Sequence, residues 1–246
     1  MEGISELIER LRAAGVPLDD SIEEAMSSVD PSCFTDHSLE PFLGDRPVPF
    51  LITEGGAAKT ISAPHMVATL LHHLEIREAQ HVLLLGSKGG YLAALLDCML
   101  GPDGVVTIIE PHDEVLLHTS ERLEMFDSMG FLTVLPPEAL EGWSGLSRRV
   151  DRVLVTGSVR ILPPEIEALV EDGGFVLGPF GGPVHQRLLK REKQGDEWID
   201  TDLGGVVFGP MDLNESERSP LDPHSLADHL EDLLGLMSEV IEVEDD

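Results

Sequence analysis

The chain has 246 residues, 42% of them hydrophobic, enough for one sizeable α/β domain around a packed core. Against 16 lysines and arginines stand 46 acids, for a formal charge of −30; short pairs such as Arg148-Arg149 and Lys190-Arg191 make no basic patch, so a nucleic-acid backbone is an unsuitable partner. No apolar run is long enough to span a bilayer, no basic signal-type segment opens the chain, and two cysteines, Cys33 and Cys98, form neither a disulfide framework nor a metal-ligand pattern, so a cytoplasmic protein without membrane or metal association is expected.

In chain order, Ile4, Leu7, Ile8 and Leu11 have helical spacing over 3–14, and a second short helix over 19–28 opens on Asp19 or Asp20 as cap. Residues 30–60 are rich in Pro, Gly and Asp and read mostly as loop. Ser62 is placed to cap a helix running from Ala63-Pro64 to about Leu74, with proline in its first turn. Then strands and helices alternate. His81 to Leu85 is a short apolar run, as in a buried parallel strand, followed by a glycine turn over 86–90 and a helix over 91–100. Val105 to Ile109 is a strand ended by Glu110, followed by a helix over 113–126 and a strand over 131–135. Strands at 152–155 and 174–177 flank a helix at 164–170. This order predicts a doubly wound, mostly parallel sheet with helices on both faces. Arg187 to Arg191 and Val206 to Phe208, separated by Gly195-Asp196, read as a closing antiparallel pair. Beyond an acidic linker from 213, Leu226, Leu230, Leu233, Leu234, Met237 and Ile241 fall on one face of a tail helix, a packing face or a contact for a homo-oligomer.

In such a sheet a ligand lies outside the carboxyl ends of the strands, near the first βα turn. Gly86, Ser87, Lys88, Gly89 and Gly90 form that turn, and Glu110, ending the next strand, is placed to accept hydrogen bonds from ribose hydroxyls. Turn and acid together point to a nucleoside-containing cofactor without separating NAD from S-adenosylmethionine (SAM). The turn is neither G-x-G-x-x-G nor a P-loop.

Thr60-Ile61-Ser62-Ala63-Pro64-His65-Met66, with Asp45-Arg46-Pro47-Val48-Pro49 before it and Gly90-Tyr91 after it, resembles the T-I-S-x-P, D-R-P-L-P and glycine-turn segments of the protein-L-isoaspartate O-methyltransferases. Glu141-Gly142-Trp143, Asp172-Gly173-Gly174 and Asp202-Leu203-Gly204 to Phe208 continue the likeness in order, over about residues 3 to 212. The resemblance implies a class I SAM-dependent methyltransferase fold, N-terminal helices and a substrate loop within residues 1–75, and methyl transfer from SAM to the α-carboxylate of L-isoaspartyl residues in damaged proteins and peptides. It implies acceptor-positioning roles for Ser62 and Thr60, and cofactor contacts from the 86–90 turn, Glu110 and Glu138.

Departures gather at the cofactor site. Leu84 stands where the family carries an acid, Lys88 replaces the middle glycine, Pro137-Glu138-Ala139 replaces G-D-G, and Gly157-Ser158-Val159-Arg160 replaces A-A-A-P. Lys88 adds a side chain where backbone comes close to a ligand, and a positive charge beside a sulfonium. Thr53 to Lys59 lengthens the segment between the two substrate-loop motifs by about five residues. These departures keep open a non-catalytic homologue serving as a binding or assembly subunit, and methylation of a different acceptor.

Overall fold

The computed structural model describes residues 2–140, 149–182 and 184–211. Met1–Met211 is one compact unit and Asp212–Asp246 a second. The expected tail helix with its homo-oligomer contact, and the Glu141-Gly142-Trp143 motif, lie outside the described residues.

Helix α1 (Glu2–Ala13) buries Ile4, Leu7, Ile8 and Leu11, the four residues of its predicted stripe. Helix α2 (Asp20–Ser28) is capped by Asp19, whose carboxylate accepts the Ile22 N–H at 3.0 Å. The 30–60 stretch is more ordered than the loop its composition predicts. It holds a 3-10 turn at Pro31–Phe34, the short helix α3 (Glu40–Leu43), and an antiparallel hairpin of β1 (Val48–Ile52) and β2 (Ala58–Ile61). Prolines at 47 and 49 and the glycines of the tip hide the alternation that buries Val48 and Phe50. The tip closes on Thr53: its carbonyl accepts the Gly56 N–H at 2.8 Å and its hydroxyl the Ala57 N–H at 3.1 Å. Helix α4 (Pro64–Leu74) starts with proline in its first turn, but Ala63 is the cap residue and Ser62 does not cap it. Asp45 does that work, its carboxylate accepting the His65 N–H at 2.9 Å.

The main sheet comprises β3 (His81–Leu85), β4 (Val105–Ile109), β5 (Phe131–Leu135), β6 (Val150–Val155), β7 (Val170–Gly181), β8 (Gln186–Gln194) and β9 (Glu197–Gly205), in the order β5-β4-β3-β6-β7-β8-β9. Helices α5 (Tyr91–Leu100), α6 (Asp113–Glu124) and α7 (Pro164–Leu169) connect its parallel strands. Leu83, Leu84 and Leu85 of β3 are wholly buried, as for a central parallel strand covered on both faces. Chain order reverses between β3 and β6, so the crevice for a ligand opens at their carboxyl ends.

The antiparallel end differs from the sequence reading. Strand β7 begins directly after α7, and Asp172-Gly173-Gly174 lies inside it as an irregularity: Val170 pairs with Val150 but Phe175 with Arg152. The closing strand is 197–205, not 206–208. Its polar sequence pairs by charge, with Asp200 receiving Arg191 at 3.0 Å and Asp202 receiving Arg187 at 2.8 Å. The apolar Val206 to Phe208 leaves the ladder because the Gln186 amide captures Phe208 through both backbone groups, at 2.7 and 2.9 Å.

Candidate active site

The glycine turn starts where β3 ends. Gly86, Gly89 and Gly90 all have positive φ, and so does Lys88 at 48°. At Gly86 a β-carbon would lie 2.5 Å from both Met211 Cε and Thr156 Oγ1, and at Gly89 2.7 Å from Phe50 Cγ. Internal packing as well as backbone conformation therefore requires these glycines. The Thr156 hydroxyl, at the end of β6, lies 3.0 Å from the Leu85 carbonyl and 2.8 Å from that of Gly86, holding the two central strand ends together. Leu84, where the family's acid would stand, belongs to the hydrophobic core.

Glu110 ends β4 and is buried. One of its oxygens accepts the Ser87 N–H at 2.8 Å and the Ser87 hydroxyl at 2.9 Å; the other accepts the His112 N–H at 3.0 Å. Ser87 Oγ also lies 2.7 Å from Thr119 Oγ1, so this cluster fastens the turn to α6. A carboxylate offers about four acceptor positions, so one remains open on Oε1. Glu138 is exposed on the 3-10 turn over 137–140 that follows β5, at the same end of the sheet.

The hairpin and the start of α4 carry the residues expected on the acceptor side. Strand β2 packs against the 88–90 turn, which brings the Thr60–Ser62 segment beside that turn. Thr60 and Ser62 are half-buried, and neither hydroxyl has a hydrogen-bond partner among the described residues. In the first turn of α4 stands His65, whose Nδ1 is 3.0 and 3.1 Å from the two Asp45 oxygens. The Asp45–His65 pair escaped the sequence reading although both residues sit in its two matched segments. Phe50 and His118 had no local signal. Their rings meet at a tilt of 39° with centroids 5.0 Å apart, Phe50 lying against Gly89, and the Glu54 N–H donates to Glu114 of α6 at 2.9 Å, docking the hairpin tip.

Lys88 is half-buried. Its ammonium lies 5.8 Å from the centre of the Phe208 ring and has no hydrogen bond or ion pair among the described residues. Burial pushes its pKa down, the nearby Glu110 charge pushes it up, and Lys59 pushes it down again. The turn and Glu110 thus fit the nucleoside end of the implied donor, whereas Lys88 does not suit a sulfonium neighbour. Among the described residues no group of three or more His, Cys, Asp and Glu side chains has metal-binding geometry.

A family profile described as Protein-L-isoaspartate(D-aspartate) O-methyltransferase matches residues 2–216. The protein-L-isoaspartate O-methyltransferase of Fervidobacterium nodosum is 31% identical over 206 residues, 83% of this chain and 99% of that protein. That of Methanothrix thermoacetophila is 32% identical over 208 residues, 83% of this chain and 92% of the relative. A Plasmodium falciparum protein, solved under the same enzyme description in complex with S-adenosyl-L-homocysteine, superposes with a TM-score of 0.70 at 22% identity, over 86% of this chain and 99% of that one. That likeness speaks for the fold.

Proposed function

Because the chain belongs to the protein-L-isoaspartate(D-aspartate) O-methyltransferase family, we propose that it is a SAM-dependent enzyme of protein repair, methylating the α-carboxylate of L-isoaspartyl residues in proteins and peptides. The observation that carries this reading is the family match across 2–216, joined to the contact of β2 with the glycine turn. When bound, SAM supplies an electrophilic methyl on its sulfonium. The acceptor carboxylate is ionised at neutral pH, so the site needs no strong general base. Alignment and exclusion of water are the larger demands.

The Ser62 and Thr60 hydroxyls, without a hydrogen-bond partner among the described residues, are proposed to donate to the acceptor carboxylate and fix its approach. Asp45 and His65 hold the loop that carries Ser62. Glu110, Ser87, Gly86, Lys88, Gly89, Gly90 and Glu138 remain our proposed surround of the donor, with Glu110 taking one ribose hydroxyl through its remaining acceptor position. The methyl ester formed on the acceptor then cyclises to a succinimide outside the protein, releasing methanol, and the ring reopens in part to normal aspartate.

We also assign the protein to the cytoplasm. Both cysteines are free thiols, as a reducing compartment allows, and among the described residues no helix is long and apolar enough to cross a membrane. The leucine face over 226–241 remains our proposed contact between copies of the chain. Lys88 alone favours a binding-only role, which predicts no affinity for S-adenosylhomocysteine. The Ser62→Ala variant tests the enzymatic reading by mass spectrometry of an isoaspartyl peptide: the +14 Da product should form roughly 10- to 1000-fold more slowly at unchanged S-adenosylhomocysteine affinity. Equal rates would remove Ser62 from the reaction.

A further inference from the structure

Two large apolar side chains just after α6, Met125 and Met129, are 73% and 55% exposed. They line a mostly apolar groove of about 630 Å³ that also takes in the end of α2, the 3-10 turn at Pro31–Phe34 and part of α5. Phe34 and Phe126, with ring centres 6.0 Å apart, and both thiols, Cys33 and Cys98, complete its apolar lining. The methionine side is fixed from within: the buried Asp97 carboxylate accepts the Met129 N–H at 2.7 Å and the Gly130 N–H at 2.9 Å. The groove is therefore formed in advance of any occupant. Its charge is one-sided. Asp30, Asp97 and Asp127 line it against Arg122, which already pairs with Asp36, and among the described residues no other cation lines it. None of the residues assigned above to the donor or the acceptor belongs to it.

We infer that this groove docks a basic amphipathic helix of a partner protein, its apolar face on Met125, Met129 and Phe126 and its lysines or arginines toward Asp30 and Asp127. An exposed apolar groove rimmed by polar residues is a surface for another chain rather than for water. Methionine suits that use, because its unbranched thioether adapts to the side chains a helix presents at i, i+3, i+4 and i+7. Charge decides which helix. A two-fold contact with a second copy would set Asp30 and Asp127 against the same acids, in a chain already at −30. A cationic helix meets complementary charge instead, and the acids steer its approach and reject acidic competitors.

The groove carries its own reporters, since Cys33 and Cys98 are the only cysteines of the chain and Cys33 is exposed. The test follows iodoacetamide labelling of Cys33 in the full chain by mass spectrometry, alongside calorimetric titration. The probes are a leucine–lysine peptide with leucines at helical spacing, a scrambled twin of the same composition, and a leucine–glutamate twin. At about ten times its Kd the amphipathic basic peptide should slow Cys33 labelling roughly tenfold, and neither twin should. Met125→Gln combined with Met129→Gln, at two exposed positions, should weaken its binding roughly tenfold or more while methyl transfer is unchanged. Asp30→Asn combined with Asp127→Asn is the independent second variant and should weaken binding and reduce its salt dependence. No binding, equal binding by either twin, or unchanged affinity in both variants would overturn the inference. So would a Cys33 thiol already shielded in the free chain, or self-association abolished by the methionine substitutions, which would give the groove to a second copy.

Discussion

Ser62 and Asp45 divide two jobs that one residue looked able to do. A serine just before Ala63-Pro64 has the sequence of a cap, yet the first-turn N–H of α4 is taken by Asp45, 20 residues upstream. Local sequence cannot show a cap supplied from another segment. Asp45→Ala should therefore cost about 1 kcal/mol of stability, whereas Ser62→Ala should leave the urea midpoint unchanged while slowing methyl transfer. The reverse pattern would return the cap to Ser62. The place of Glu110 at the end of β4 was legible because it follows a short apolar run, but its bonds to Ser87 and His112 depend on side-chain geometry. His118 illustrates a residue invisible in sequence. Burial against Phe50 is the main influence lowering its pKa, so the fold favours the neutral ring and the unfolded chain binds more protons. Stability must then fall as pH drops through about 6.5 toward the lowered folded value. His118→Phe should shrink the difference between unfolding midpoints at pH 7.5 and 5.5; an unchanged difference would assign the effect elsewhere.

At the scale of elements, the parallel strands were readable because buried strands are short continuous apolar runs between turn signals. The failures have two causes: partners distant in sequence for the hairpin, and polar pairing in place of apolar alternation for β9. The β1–β2 hairpin is a glycine-bearing extension whose order comes from Phe50 lying on Gly89 and from the Glu54–Glu114 bond. Phe50→Ala should destabilise the protein by roughly 3 kcal/mol, since it empties a buried site beside the turn. Gly89→Ala should cost roughly 1–3 kcal/mol by pressing a methyl into the same ring. Strand β9 was misplaced because its stabilising pairs are ionic, Arg187–Asp202 and Arg191–Asp200, at a sheet end where apolar alternation is not needed. Gln186 diverts Val206 to Phe208 toward the crevice, where Phe208 meets Lys88. Gln186→Leu should free that segment, raising proteolytic cleavage near 206–211 while β8 stays protected from hydrogen exchange.

Over the whole molecule, charge and topology act separately. A net charge of −30 opposes compaction through self-repulsion. Added salt screens that repulsion over about 10 Å at 0.1 M, so the thermal midpoint should rise as KCl increases from 0.01 to 1 M; a flat or falling midpoint would show the repulsion to be unimportant. Topology instead sets where a ligand is expected, because the order reversal between β3 and β6 lies at the strand ends where the glycine turn, Glu110 and the hairpin meet. The Thr60–Ser62 segment, the glycine turn and Glu110 are brought to one end of the sheet by segments far apart in the chain. The most direct measurement is transfer of a labelled methyl group from SAM to two peptides differing only in an isoaspartyl or aspartyl linkage. The isoaspartyl peptide should gain a base-labile methyl ester that releases methanol, and its aspartyl twin should gain none. Equal labelling of both, or label on neither while the protein is folded and binds S-adenosylhomocysteine, would contradict the account.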